Sequence, residues 1–143
     1  MKSILVIDDD PSIARLVSAA LDKTDVTHRI DYCSDGGQGR AKAAQGQYDL
    51  IALDLAMPFM DGVEALEEIK RNPKSAQIPV VVITGLKDPA LHAKVEQLGA
   101  IATVTKPFKV WDLVSIFRLV FAGNQSKPPD DVGEGPAEFR RKK

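Results

Sequence analysis

The feature that constrains the fold most is a set of short, mostly apolar segments, each followed directly by a polar or charged residue. These segments cover residues 4–7, 48–53, 78–83 and 100–105, and the residues that follow them are Asp8, Asp54, Thr84 and Lys106. Segments that are apolar on both faces are typical of parallel strands with helices packed above and below. The carboxyl ends of parallel strands meet at one edge of an open α/β sheet, where ligands bind. The sequence therefore predicts that two carboxylates, a hydroxyl and an amine lie together at this edge.

The segments between these strands have the spacing of amphipathic helices. A helix is predicted from Pro11, with Asp10 as its cap, because Ile13, Val17 and Leu21 recur on one face. Further elements are an edge strand at residues 27–32 and helices at residues 35–47, 63–71, 89–98 and 110–121. The helix at 35–47 is expected to be short and mobile, since each of its glycines weakens it by about 1 kcal/mol relative to alanine. Strands alternating with helices predict right-handed crossovers and a three-layer α/β sandwich.

The composition is that of one soluble domain with no general affinity for polyanions. The chain has 143 residues, 44% of them hydrophobic, and a formal net charge of −1, which gives no overall attraction to nucleic acid or anionic membranes. No segment reaches the roughly 18 apolar residues of a membrane span, and the acidic residues at 8–10 interrupt the first apolar run too early for a signal peptide. We expect a cytoplasmic domain at residues 1–122 and, from its Gly, Pro, Ser and charge content, a disordered tail at residues 123–143.

The acidic residues at the predicted sheet edge form a candidate metal site. Asp8, Asp9 and Asp54 would bring three like charges close together, which is costly unless a cation lies among them. Oxygen ligands without histidine or cysteine suit a hard divalent ion, most simply Mg²⁺. Together with Thr84 and Lys106, this set of groups could bind a phosphoryl group, with the Asp54 carboxylate as its acceptor.

The motifs at these strand ends closely resemble those of the receiver domain of two-component response regulators. The resemblance covers residues 1–121 and rests on Asp8-Asp9, Asp54 with Met57-Pro58 and Met60-Asp61-Gly62, Thr84-Gly85, and Lys106-Pro107-Phe108. Each motif alone is weakly specific, but their order and their common position at strand ends are strongly specific. The resemblance implies a flavodoxin-like, doubly wound sandwich with a five-stranded parallel sheet in the order 2-1-3-4-5.

The family's functional residues carry over to matching positions here. The resemblance implies that Asp54 accepts a phosphoryl group from a phosphohistidine on a sensor histidine kinase or a histidine phosphotransfer protein. Asp9, Asp54 and the backbone carbonyl of Ala56 would hold Mg²⁺, with Asp8 acting through water. Thr84 would hydrogen-bond the acyl phosphate, Lys106 would pair with its oxygens, and the bond from Lys106 to Pro107 is expected to be cis.

Because no DNA-binding helix pair follows the fifth predicted helix and the tail is short and polar, we expect a stand-alone switch or phosphorelay intermediate, similar to chemotaxis regulators. It would catalyse only its own phosphorylation and dephosphorylation and contact a downstream protein, with no direct binding to DNA or membranes. Thr103 departs from the family, which usually has an aromatic residue at this position, and the usual signalling route is therefore in question.

Three alternatives remain open at this stage. The chain could be a receiver from a longer regulator. It could also be a Mg²⁺-dependent phosphohydrolase with Asp54 as nucleophile, although a phosphohydrolase would need a general acid two residues after the nucleophile, where this chain has Ala56. A flavin-binding protein of the same topology is disfavoured because carboxylates at the first strand end would repel a phosphate. Other polar residues have simpler interpretations: Asp10 and Asp61 as caps, and His28 and His92 as surface histidines. Trp111 is expected in the core or an interface.

Overall fold

Five strands alternate with five helices in the computed structural model, which describes residues 1–57 and 61–122. The elements are β1 (Lys2–Ile7), α1 (Ser12–Asp22), β2 (His28–Cys33), α2 (Gly36–Ala43), β3 (Leu50–Leu53), α3 (Gly62–Arg71), β4 (Val80–Thr84), α4 (Pro89–Gln97), β5 (Ala102–Thr105) and α5 (Val110–Val120). No helix in the described residues is long and apolar enough to cross a membrane. The tail at 123–143 and residues 58–60 of the predicted turn lie outside the described residues.

The strands form one parallel sheet in the order β2-β1-β3-β4-β5, as predicted. Alternate residues of β1 point to opposite faces, so that Ile4 and Val6 join one apolar cluster while Leu5 and Ile7 join the other. The first cluster contains the buried faces of α1 and α5, and the second those of α2, α3 and α4. The three-layer sandwich is therefore confirmed.

The predicted caps lie where the helices begin. Asp35 accepts a hydrogen bond from the Gln38 amide at the start of α2, and Asp61 accepts one from the Val63 amide at the start of α3. Asp10 accepts one from the Ser12 amide at 3.0 Å, although α1 begins one residue later than predicted and Pro11 precedes its first residue. These carboxylates satisfy amides that lack a partner within their own helix.

Four strands begin later than predicted, β2 by one residue and β3, β4 and β5 by two residues each. β3 begins at Leu50, and before it the Tyr48 hydroxyl donates a hydrogen bond of 2.5 Å to the Asp31 carboxylate of the edge strand. β4 begins at Val80, since Pro79 has no N–H to give to the ladder. The carbonyl of Pro79 still accepts a hydrogen bond from the Ile51 amide at 2.9 Å.

The assignment of His28 to the surface was wrong, and of the two positions expected for Trp111 the core is excluded. The side chain of His28 is only 11% exposed, because its Nε2 lies 3.0 Å from Ser18 Oγ on α1 and its Nδ1 lies 2.9 Å from the Val26 carbonyl. Trp111 is 56% exposed at the start of α5 rather than in the core. The cationic groups of Lys23 and Arg118 lie over its ring, at 5.7 and 5.9 Å from the ring centre.

Candidate functional site

The carboxyl edge of the sheet brings together the side chains that the sequence predicted there. Asp8 directly follows β1, Asp54 follows β3, Thr84 is the last residue of β4, and Lys106 follows β5. Backbone hydrogen bonds fix these ends to one another: the Asp54 amide donates to the Ile7 carbonyl at 2.9 Å, and the Lys106 amide donates to the Thr84 carbonyl at 2.8 Å. The ladder itself therefore sets the spacing of the site.

Three carboxylates form an acidic cluster at this edge. Asp8, Asp9 and Asp54 each offer an oxygen within 4.8 Å of the others. Asp8 and Asp54 are 1% and 4% exposed, whereas Asp9 is open to solvent. The donor set is made of hard oxygen ligands with access to water on one side, which fits the preference of Mg²⁺ for a few carboxylates and retained waters.

Lys106 supplies the positive charge that faces this cluster. Its Nζ lies 2.9 Å from Asp8 Oδ2 and 3.4 Å from Asp54 Oδ2. Burial alone would lower the pKa of Lys106, but the hydrogen bond to Asp8 and the charge of Asp54 outweigh it, so the pKa is raised. The side chain therefore stays an ammonium beside the two buried carboxylates.

Asp8 is held by hydrogen bonds on both of its oxygens. Its Oδ1 accepts from the Asp10 amide at 2.8 Å, and its Oδ2 accepts from Lys106. Burial raises the pKa of the Asp8 carboxyl, the two hydrogen bonds act against that rise, and the charge of Asp54 adds to it. The net rise reflects how strongly this carboxylate is withdrawn from water.

The start of α3 packs tightly against the backbone of Asp54 and Leu55, and the loop between them contacts the Asp54 carboxylate. The Ala56 amide donates to Asp54 Oδ1 at 3.3 Å, and the Gly62 amide donates to the Leu55 carbonyl at 3.1 Å. A side chain on Gly62 would lie 2.4 Å from both the Asp54 carbonyl oxygen and the Leu55 Cα. Gly62 therefore belongs to the site because there is no space for a side chain between α3 and the end of β3. The sequence placed Gly62 in the Met-Asp-Gly motif but did not show why a glycine is needed there.

Thr84 is fully buried, and the loop that follows it is exposed. Its Oγ1 accepts a hydrogen bond from the Leu86 amide at 3.2 Å. The Leu86 carbonyl in turn lies 2.6 Å from Nε2 of His92 on α4, so His92 is tied to the loop beside Thr84. This contact of His92 had no signal in the sequence, which had suggested an ordinary surface histidine.

Thr103 on β5 reaches α4 through a polar contact. Its Oγ1 donates to Glu96 Oε2 at 3.4 Å. An aromatic ring at this position would instead contact the helix through apolar surface. With Thr103 at this position, the side-chain contact from β5 to α4 is a hydrogen bond.

The amino-acid sequence and the fold both match a known family. The family model described as "Response regulator receiver domain" matches residues 4–118. The chain is 38% identical over 120 residues to the DNA-binding dual master transcriptional regulator RpaA of Synechocystis, covering 82% of this chain and 48% of RpaA. The chain spans about half the length of such curated relatives.

Solved structures of similar chains superimpose along nearly their whole length. The chemotaxis protein CheY4 of Vibrio cholerae matches with a TM-score of 0.72 and 27% identity, covering 84% of this chain and 98% of CheY4. The Mn(2+)-bound form of response regulator Rcp1 matches with a TM-score of 0.68 and 29% identity, covering 90% of this chain and 99% of Rcp1. The cis peptide bond between Lys106 and Pro107, expected from the resemblance, is present.

Proposed function

Because the chain belongs to the response regulator receiver domain family of two-component systems, we propose that it is a phosphorylation-controlled switch whose phosphoacceptor is Asp54. Members of this family act under the control of phosphorylation and partner with histidine kinases. The observation that supports Asp54 most is the position of Lys106, whose ammonium bridges this carboxylate and Asp8 beside the exposed Asp9. A phosphoryl oxygen near Asp54 would meet a cation already in place.

In the proposed reaction an Asp54 oxygen attacks the phosphorus of a phosphohistidine. The new O–P bond forms as the P–N bond breaks, and the imidazole leaves with the electron pair. Lys106 balances charge on the transferred oxygens, and the buried Thr84 hydroxyl donates a hydrogen bond to them once the acyl phosphate has formed. In this proposal the phosphoryl group stays on Asp54 as the signal, so the chain would act as a switch rather than as a turnover enzyme.

The acidic cluster is the proposed Mg²⁺ site. Asp9, Asp54 and the backbone carbonyl of Ala56 would hold the ion, with Asp8 acting through water. When bound, Mg²⁺ would offset the repulsion among the three carboxylates and the incoming phosphoryl group. The similar response regulator Rcp1 has been solved with Mn²⁺ bound, which supports a divalent ion here.

The test is labelling of the whole chain with acetyl phosphate and Mg²⁺, followed by intact mass. We expect one added phosphoryl group in the wild type and none in Asp54→Asn. Asp10→Asn is the matched control, because Asp10 belongs to the same acidic run but caps α1, and it should label normally. Equal labelling of Asp54→Asn would contradict the assignment. Sustained release of phosphate in place of one stable equivalent would favour a phosphohydrolase.

The partners follow from the same proposal. The phosphodonor would be a sensor histidine kinase or a histidine phosphotransfer protein. The target of the phosphorylated chain would be a downstream protein in the cytoplasm. We take residues 1–122 as the receiver unit. A phosphotransfer screen of the whole chain against purified histidine kinases would identify the donor by the fastest transfer.

A further inference from the structure

We propose that His92 is a positioning residue that couples Thr84 to α4, an inference that rests on the proposed function of Asp54. Two consecutive hydrogen bonds connect Thr84 at the end of β4, Leu86 in the following loop and His92 on α4. The Leu86 amide donates to Thr84 Oγ1 at 3.2 Å, and Nε2 of His92 donates to the Leu86 carbonyl at 2.6 Å. The backbone of Leu86 thus contacts the site residue Thr84 through its N–H and α4 through its carbonyl.

The partner in the second hydrogen bond shows which ring nitrogen of His92 acts as the donor. The Leu86 carbonyl has no proton to give, so Nε2 must carry the hydrogen. His92 lies in the first turn of α4, where its own amide donates to the Asp88 carbonyl at 3.1 Å. The ring is therefore fixed to the helix by its backbone and to the loop by its Nε2, and movement of Leu86 is passed to the start of α4.

The helix that receives this movement is weakly attached to the sheet. Val95 is the only residue of α4 that is fully buried, whereas α1 buries Ile13, Val17, Ala20 and Leu21. The helix has a further polar contact near its other end, where Thr103 Oγ1 donates to Glu96 at 3.4 Å. Leu91 in the first turn is only partly buried against the same apolar cluster as Val95, so the helix can shift at small cost and the hydrogen bond of His92 contributes to where its first turn lies.

Because Thr103 replaces the usual aromatic side chain, the connection from Thr84 through Leu86 to His92 becomes more important for signalling than the route through β5. When the Thr84 hydroxyl turns towards an acyl phosphate on Asp54, Oγ1 moves relative to the Leu86 amide. If Leu86 follows the hydroxyl, its carbonyl moves against His92, and the hydrogen bond to Nε2 carries that movement to α4. A signal can therefore reach α4 through the backbone of the loop rather than through the swing of a ring on β5.

The experiment measures how much of the response at Leu86 reaches α4. Amide chemical shifts of the whole chain are recorded with Mg²⁺ before and after addition of beryllofluoride. In His92→Phe the ring volume remains and the donor is lost, so the shift at Leu86 should persist while the shifts at residues 90–97 fall by about two- to tenfold, the factor expected for one neutral hydrogen bond. His92→Gln, whose amide can donate, should restore part of the response.

The controls separate coupling from simple stability. Lys94→Ala, at an exposed position of the same helix, should respond as the wild type does. Equal responses of α4 in His92→Phe and the wild type, with Leu86 responding in both, would overturn the coupling and leave the proposed function intact. A wild-type chain in which neither Asp54 nor Leu86 responds, and which acetyl phosphate does not label, would overturn the proposed function and the coupling with it.

Discussion

Replacement of Gly62 by alanine tests whether close packing of α3 against β3 positions the phosphoacceptor. The added Cβ would lie 2.4 Å from the Asp54 carbonyl oxygen and 2.4 Å from the Leu55 Cα, where real contacts stay beyond 3.0 Å. Both neighbours are backbone atoms, so they cannot rotate away as a side chain could. The start of α3 and the end of β3 must therefore separate by more than half an ångström, roughly 0.6 Å.

The expected cost follows from two opposing effects. Overpacking of this kind costs about 1–3 kcal/mol, while alanine in place of glycine restricts the unfolded chain and recovers about 0.4–1 kcal/mol. The net loss of unfolding free energy should be about 1–2 kcal/mol, which lowers Tm by about 4–8 °C for a domain of this size. Because Asp54 moves with the strand end, the rate of labelling by acetyl phosphate should fall by about tenfold or more.

Urea unfolding and intact-mass labelling measure the two effects separately. Gly85→Ala is the matched control, since a Cβ there meets no atom within 4 Å, and its unfolding free energy should stay within about 0.5 kcal/mol of the wild type. Equal stability and equal labelling rates for Gly62→Ala and Gly85→Ala would refute the idea that this glycine is required for space.

Three further predictions concern charge, phosphate lifetime and pH. Asp9→Ala should stabilise the metal-free protein slightly by relieving repulsion, yet slow Mg²⁺-dependent labelling by at least about tenfold; an undiminished rate would show that Asp9 is not a ligand. Ala56 cannot orient a hydrolytic water, so Ala56→Asn should speed the loss of phosphate from Asp54 by up to about 100-fold, and a slower decay of the labelled protein would contradict this. Burial, and then the hydrogen bond and charge of Asp31, raise the pKa of Tyr48. Its stabilising contribution is complete below the ordinary tyrosine pKa of 10.0 and is lost as the pH rises above it, so in urea titrations the wild type should lose more stability than Tyr48→Phe above pH 10.0.

The parts of the fold that depend on local pattern were predictable from the sequence. The strands ending before Asp8 and Asp54 could be predicted because each is a short, continuous apolar run followed by a polar residue. This pattern is visible within a single segment of the sequence. The order of the strands came from the resemblance to receiver domains, and the sheet confirms it.

Contacts between distant segments could not be predicted in this way. The burial of His28 depends on Ser18 of α1, ten residues earlier in the chain, and the alternating pattern of β2 does not show which helix covers it. The limit at Gly62 depends on the distance between a helix and a strand, and the tie of His92 to Leu86 depends on the path of a loop. Trp111 has helical spacing suited to either the core or the surface, and the cations that lie over its ring come partly from another helix end.

The arrangement of the sheet also bears on how copies of this chain can associate. In the described residues β2 and β5 are the outer strands, and each has one side of its backbone free to pair with a further strand. On β2, Arg29 and Asp31 form an ion pair of 3.6 Å along that edge, and β5 is only four residues long. Charged side chains and short length both disfavour the addition of a strand from another molecule. Pairing of copies through the sheet edges is therefore disfavoured, and any specific pairing of copies is expected to use the helical faces.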